Sequence, residues 1–212
     1  MYTKFFKRFL DIVLSGMAIV VLSPLLLLLA ALVRLDSKGP VFFKQKRVGK
    51  GKTHFQILKF RSMYADTPHD MPTHMLGNAQ SHITRVGKVL RVTSLDELPQ
   101  LFNIFAGQMS IVGPRPALWN QFDLIEERDK YGANDLVPGL TGYAQINGRD
   151  EIPIQQKARL DGWYVQHIGF ITDCRIILGT VSAVFTHKGI VEGEHTGKNR
   201  ADPSPADWPH RK

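Results

Sequence analysis

From Ile12 to Val33 the chain reads IVLSGMAIVVLSPLLLLLAALV without one charged side chain. As a helix rising about 1.5 Å per residue, this stretch reaches about 33 Å, enough to cross a hydrocarbon layer of roughly 30 Å. A membrane segment is therefore expected, and three arrangements compete: a cleaved secretory signal, a spanning helix, and a hairpin that enters and leaves on one side. The run exceeds the roughly 7 to 15 apolar residues of a signal peptide. Lys4, Lys7 and Arg8 precede it, and Arg34, Lys38, Lys44, Lys46 and Arg47 follow it, so the basic bias marks neither end as external. Ser23 and Pro24 sit mid-run, where a proline removes a donor and bends or breaks a helix. A kinked span and a re-entrant hairpin both satisfy that pattern.

Asp11 follows Arg8 by three residues at the mouth of this segment, which puts both on one helical face. Either they form a local ion pair, or Lys7 and Arg8 hold a lipid phosphate with Asp11 beside them. A formal charge of +8 asks for an anionic partner, whether nucleic acid, acidic lipid or a phosphorylated small molecule. With 212 residues, 43% of them hydrophobic, the chain can bury one sizeable core. The single cysteine, Cys174, excludes an internal disulfide framework and reads as a small core residue.

Beyond the apolar run, PVFFKQ and HFQILKF read as two strands joined by RVGKGK, a β-hairpin with basic edges. Residues 66–82 read as a loop whose His69, Asp70, His74 and His82 lack zinc-type spacing. A short helix is expected over Val86 to Leu90, and another from Leu98 to Phe105. GQMSIVGPRP turns through Gly113, Pro114 and Pro116. An amphipathic helix over 117–131 would carry Leu118, Phe122 and Ile125 on one face. VPGLTGYAQINGRDE is a glycine-punctuated loop able to present Gln145, Asn147 and Arg149. Helices over about 153–165 and 173–186 follow, the last apolar enough to dock on the core or lie at a bilayer interface. The end of the chain, 191–212, is polar and proline-rich, and disorder is expected there.

The chemistry concentrates in SLDELPQLFN, residues 94–103. Ser94 and Glu97 match a capping box, in which Glu97 would only reach back to a backbone N–H. With Ser94 as N-cap, however, Pro99 falls where its missing donor breaks a helical bond. With Asp96 as N-cap, it falls in the tolerated first turn. Asp96 is thus expected at the helix mouth, where neighbouring carboxylates can converge. Lys59, Arg61, Arg91, Arg115 and Arg149 stand at turns or strand ends. Singly each suits a solvated surface; together around Asp96 and Glu97 they suit a phosphate site. An ionised Asp attacking a diphosphate meets anion with anion, and guanidinium groups and Mg²⁺ offset that repulsion.

The sequence resembles the bacterial sugar transferase family, specifically its small monotopic polyprenol-phosphate phosphoglycosyl transferases. KRFLDIVLS, LSPLLLL, GPVFFKQKRVG, FQILKFRSM, TSLDELPQLFN, MSIVGPRP, PGLTGYAQINGR and KARLDGWYV carry the resemblance in order, with Tyr143 where the family commonly has tryptophan. The resemblance implies an α+β, mostly helical fold with three parts. Residues 1–34 form a re-entrant helix-break-helix membrane anchor broken at Ser23 and Pro24. Residues 35–190 form a compact cytosolic catalytic domain with a small β-hairpin and amphipathic interface helices, and residues 191–212 form a tail. It implies a bacterial inner-membrane enzyme facing the cytoplasm that moves a sugar 1-phosphate from a UDP-sugar to undecaprenyl phosphate and releases UMP, initiating a surface glycan. Asp96 would be the nucleophile of a ping-pong reaction and Glu97 would help hold Mg²⁺, with Asp96 in the same metal site. Arg91 would hold the phosphates, Arg115 would lie near the nucleotide, and Lys59, Arg61, Gln145, Asn147 and Arg149 would complete the pocket. No nucleic acid is expected as a partner. Two rivals share part of this pattern: a basic membrane adaptor without catalysis, and a phosphatase that passes an aspartyl-phosphate to water.

Overall fold

The computed structural model describes residues 2–67, 79–148 and 152–185; Arg149, most of the loop over 66–82 and the tail 191–212 lie outside them. Helix α1, Lys7–Asp36, is the one helix among the described residues long and apolar enough to cross a bilayer, with a mean hydropathy of 2.7. The expected division into two helices at Ser23 and Pro24 is not what forms. Pro24 has no N–H for the Val20 carbonyl, and the Ser23 hydroxyl donates to that oxygen at 2.8 Å, so the helix runs on through the proline.

A seam of Asp11, Ser15, Ala18, Leu22, Leu26, Leu29 and Val33 advances by three or four residues along α1 and faces the rest of the protein. Leu26, Leu29 and Val33 form one core cluster with Phe60 and Leu90. Ala18, Ile19 and Leu22 pack on Ile57, Leu101, Ile104 and Met109. The opposite face is bare: Phe9, Val20, Val21, Leu27, Leu28 and Leu35 are all exposed.

Strands β1, Phe42–Val48, and β2, His54–Phe60, form the expected antiparallel hairpin, in register from Phe42 opposite Phe60 to Val48 opposite His54. The mainly helical remainder packs around it. Helix α2, Arg85–Val92, is capped by Thr84, whose Oγ1 accepts from Gly87 N. Helix α3 is Gln100–Phe105, starting directly after Pro99. Strand β3, Ser110–Val112, pairs in parallel with β4, Gly139–Thr141. Between them, α4 covers only Phe122–Asp129. Its expected start at 117 is not formed because Leu118 bridges to Arg47 beside β1 and its N–H is taken by the Gln121 side chain. The inward face consequently rests on Leu118 and Leu124, while Phe122 points out. Helix α5, Tyr143–Ile146, and α6, Ile154–Gln166, follow. Helix α7, Phe170–Phe185, buries Ile176 and exposes Ile171, Leu178 and Val181. Cys174 is a half-buried free thiol rather than a core residue.

Both ends of α1 are tied to this body. At the start, Lys7 pairs with Asp173 at 2.6 Å, and Asp11 Oδ1 accepts from Ile111 N at 2.9 Å. At the finish, Asp36 Oδ2 accepts from Val86 N at 3.0 Å, and Arg61 donates to the carbonyls of Val33 and Ser37. A cation at that carbonyl-rich terminus is favoured by the helix dipole.

Candidate active site

The reversal between α2 and α3 places the carboxylate pair. Ser94 takes a left-handed conformation with φ 57°, uncommon for a residue with a Cβ, and leads into a single tight turn over Leu95–Glu97. No capping box forms: the Ser94 side chain makes no cap bond, and Glu97 points at cations instead. Pro99 is itself the N-cap residue directly before α3, three positions nearer the helix start than an Asp96 N-cap would put it. Leu95 and Leu98, on either side of the pair, pack on the cluster that includes Leu26, Leu29 and Val33 of α1. The two carboxylates therefore stand where the apolar helix meets the polar body.

Lys59 comes from the inner face of β2, and its height is fixed by Asn103. The Asn103 carboxamide accepts from Leu58 N at 2.9 Å and donates to Gln56 O at 2.8 Å, locking α3 to the strand one residue from Lys59. Lys59 Nζ then lies 2.8 Å from Glu97 Oε1, and Arg115 reaches the same oxygen at 2.6 Å and Oε2 at 3.4 Å. These cations hold the Glu97 carboxyl well below the usual carboxylate range, against a burial effect that acts the other way. Asp96 is 8% exposed. Burial pushes its carboxyl up, Lys59 pulls it down, Glu97 pushes it up, and Arg91 and Arg115 pull it down; the net direction is upward.

Five of the expected site residues thus share one electrostatic neighbourhood: Asp96, Glu97, Lys59, Arg91 and Arg115. The others do not converge there. Arg61 is buried against the C-terminal turn of α1, as described above, since the strand end that carries it turns toward Ser37 rather than toward Glu97. Gln145 Nε2 donates to Leu140 O, and Asn147 Nδ2 donates to Tyr143 O, so both amides serve their own loop. That loop nevertheless lies against the Arg115 turn: a Cβ on Gly142 would come within 2.2 Å of Gly113 O. Lys7, Arg8 and Asp11 are committed within the protein. Arg8 donates to Ile104 O and Phe105 O rather than pairing with Asp11, whose carboxylate serves Ile111. The geometric cause is the seam described above, which turns that face of α1 onto α3 and β3.

No group of three or more His, Cys, Asp or Glu side chains placed to hold a metal ion occurs among the described residues. Two adjacent carboxylates suit Mg²⁺ nonetheless, because that ion keeps waters and is completed by substrate phosphates. Glu97 Oε2 receives a long contact from Arg115, at 3.4 Å, and a carboxylate oxygen so lightly held suits such an ion.

The family model for bacterial sugar transferases matches residues 2–187. The chain belongs to that family. This sugar transferase is 37% identical over 194 residues to the uncharacterized sugar transferase EpsL of Bacillus subtilis, covering 92% of this chain and 94% of the relative. It is 40% identical over 190 residues to a UDP-glucose:undecaprenyl-phosphate glucose-1-phosphate transferase of Caulobacter vibrioides, covering 85% and 70%. It is 39% identical over 186 residues to an undecaprenyl-phosphate glucose phosphotransferase of Komagataeibacter xylinus, covering 82% and 35%.

Sequence reasoning missed three features of this sugar transferase. The left-handed Ser94 carries no local signal, since serine suits many turns. Gln100, 1% exposed, has no hydrogen-bond partner for either amide atom among the described residues, a fact that only packing reveals. Asn103 was visible only as one of two polar residues in LPQLFNIF, and its role as a clamp on β2 is shown by the fold alone.

Proposed function

We propose that the enzyme transfers a sugar 1-phosphate from a UDP-sugar to undecaprenyl phosphate at the cytoplasmic face of the bacterial inner membrane, the first step of a surface glycan. One observation carries this reading: a buried aspartate, faced by Lys59, Arg91 and Arg115, stands beside leucines that pack on a lipid-length helix. The names of the relatives, which print undecaprenyl phosphate as acceptor, support it.

In the first step an Asp96 carboxylate oxygen attacks the β-phosphorus of the donor; the bond to UMP breaks, and the phosphosugar stays on Asp96 as an acyl phosphate. In the second, a phosphate oxygen of the lipid attacks that phosphorus and Asp96 regains its carboxylate. Splitting the transfer lets a soluble donor and a lipid acceptor use one pocket in turn. Lys59, Arg91 and Arg115 stabilise the charge that gathers on the phosphoryl oxygens. Glu97 and Asp96 would hold Mg²⁺, which supplies further neutralisation of the diphosphate.

A re-entrant anchor is the reading of α1 that fits these roles. Both of its ends are bonded to one body, the first through Asp173 and Ile111 and the last through Val86, and that shared attachment supports an anchor whose two ends stay on one side of the bilayer. Its bare apolar face, with Ile171, Leu178 and Val181 of α7, is suited to lipid.

Purified protein supplied with Mg²⁺, UDP-sugars and undecaprenyl phosphate is expected to release UMP and form a lipid-linked sugar diphosphate. Donor alone is expected to leave a phosphosugar adduct visible by intact mass. Full turnover by Asp96→Asn would defeat the nucleophile assignment, phosphate release would favour the phosphatase, and labelling of opposite ends of α1 from opposite sides of sealed vesicles would defeat the re-entrant anchor.

A further inference from the structure

Arg115 reaches Glu97 from a short turn, GPRP, that has little secondary structure of its own. Behind it stands a buried ion pair. Arg128 of α4 donates through Nε at 2.8 Å and Nη2 at 2.6 Å to Asp161 Oδ2 of α6. Its remaining nitrogen, Nη1, donates to the Arg115 carbonyl at 2.9 Å. The two side chains are 3% and 1% exposed as residues, among the most enclosed charges in the protein. Arg47 makes a parallel bond one residue on, Nη1 to Pro116 O at 3.1 Å, while its other nitrogens hold Gln45.

A buried charge pair seldom adds net stability, because desolvation offsets the attraction. Its geometry here is directional instead. The planar fork of one guanidinium is divided between a carboxylate on α6 and one carbonyl of the turn, so the position of α6 fixes the backbone from which Arg115 extends. A chain of contacts results, from Asp161 through Arg128 and Arg115 to Glu97 and Lys59.

We propose that Arg128 and Asp161 are a positioning pair for the transfer reaction, acting through the Arg115 carbonyl to set the reach of Arg115 toward Glu97 and the donor's phosphates. The inference rests on the function proposed above and adds to it two residues that touch no substrate.

The test uses the full-length protein in detergent or nanodiscs. In Arg128→Lys, one ammonium must choose between Asp161 and the carbonyl. In Arg128→Met with Asp161→Leu, an apolar pair of similar volume replaces the ion pair, an exchange that is often neutral for stability. Both are expected to keep the thermal midpoint within a few degrees and the KM for undecaprenyl phosphate. The kcat for UMP release should fall roughly 10- to 100-fold, as for a displacement of about 1 Å at a reacting centre. In an Arg115→Ala background, Arg128→Lys should cost little more, because its route of action is already gone. Wild-type kcat at a preserved midpoint, or full additivity with Arg115→Ala, overturns the proposal. UDP affinity by calorimetry separates this from failure of the functional reading. If no UDP-sugar yields UMP with the unaltered protein, that reading falls, while weaker UDP binding by Arg128→Lys still supports the positioning role and equal binding rejects it.

Discussion

Replacing Glu97 by Gln removes one charge and almost no volume, and the structure gives its effects a sign. Glu97 accepts from Lys59 at 2.8 Å and from Arg115 at 2.6 Å, with side-chain exposures of 17%, 20% and 37% for Lys59, Glu97 and Arg115. Stripping one partner from a fully buried pair costs about 3–5 kcal/mol, and an exposed pair is worth about 0–1 kcal/mol. This site lies between those limits, and the Gln carbonyl still accepts a neutral bond, so a loss of about 1–3 kcal/mol is expected at neutral pH. Thermal unfolding at a series of pH values reads it. Because the Glu97 carboxyl is held well below its ordinary range, its pairing contributes in full above about pH 5 and is lost as the solution is acidified. Asp96 acts in the opposite sense: its raised carboxyl makes ionisation cost stability as pH rises. In Glu97→Gln the first dependence disappears. The second moves to lower pH, since the charge that pushes Asp96 up is gone and Lys59 and Arg115 lose their counter-charge. On the proposed mechanism, in which Asp96 must be ionised to attack, the acid limb of UMP release should therefore shift to lower pH while the maximal rate falls. An acid limb that moves up, or unchanged stability at neutral pH, would refute this account of the site.

Asp11→Ala leaves the part-buried Ile111 N–H without its acceptor and should cost about 1–3 kcal/mol, whereas Asp11→Asn, which keeps an acceptor oxygen, should cost distinctly less in the same unfolding assay. Gly142→Ala drives a Cβ to 2.2 Å from the Gly113 carbonyl, a backbone group unable to rotate away, so the β4 end must shift relative to the GPRP turn. UMP release should drop at least tenfold, and wild-type turnover would contradict the close packing. Ser94→Gly removes a left-handed penalty of about 1–2 kcal/mol and adds about 0.5–1 kcal/mol of chain entropy cost, so the midpoint should hold or rise slightly; a fall of several degrees would show that the Ser94 side chain has a stabilising contact.

The elements with strong local signals were legible in the sequence. The β1–β2 hairpin, α6 and the apolar helix each follow from periodicity, from turn residues or from sheer apolar length. So was the gathering of the carboxylate pair with Lys59, Arg91 and Arg115, since prolines mark the turns that carry Asp96, Glu97 and Arg115, while a strand carries Lys59 and a short helix Arg91. What escaped depends on long-range packing. The parallel pairing of β3 with β4 spans too few residues to leave a pattern. Pro24 signals a break, yet the Ser23 hydroxyl takes up the orphaned carbonyl and the helix continues. Arg61 carries the same charge as Lys59 two residues earlier, and on a continuing strand both would face the same way; only the turn of the chain beyond β2 sends Arg61 to the end of α1 while Lys59 meets Glu97. Lys7 and Arg8 read either as partners of Asp11 or as holders of a lipid phosphate, and only the fold shows that Asp173 and the end of α3 claim them.

The bond between Asp11 and Ile111 joins residues a hundred positions apart. During synthesis at about 5–20 residues per second, the leading helix therefore waits about 5–20 s for the segment that satisfies its buried carboxylate. Throughout that interval its inward seam lacks the later segments of the chain that it packs on once folded. A version trimmed of α1 would emerge with the surface that Leu26, Leu29 and Val33 cover left open, rather than as a smaller finished domain.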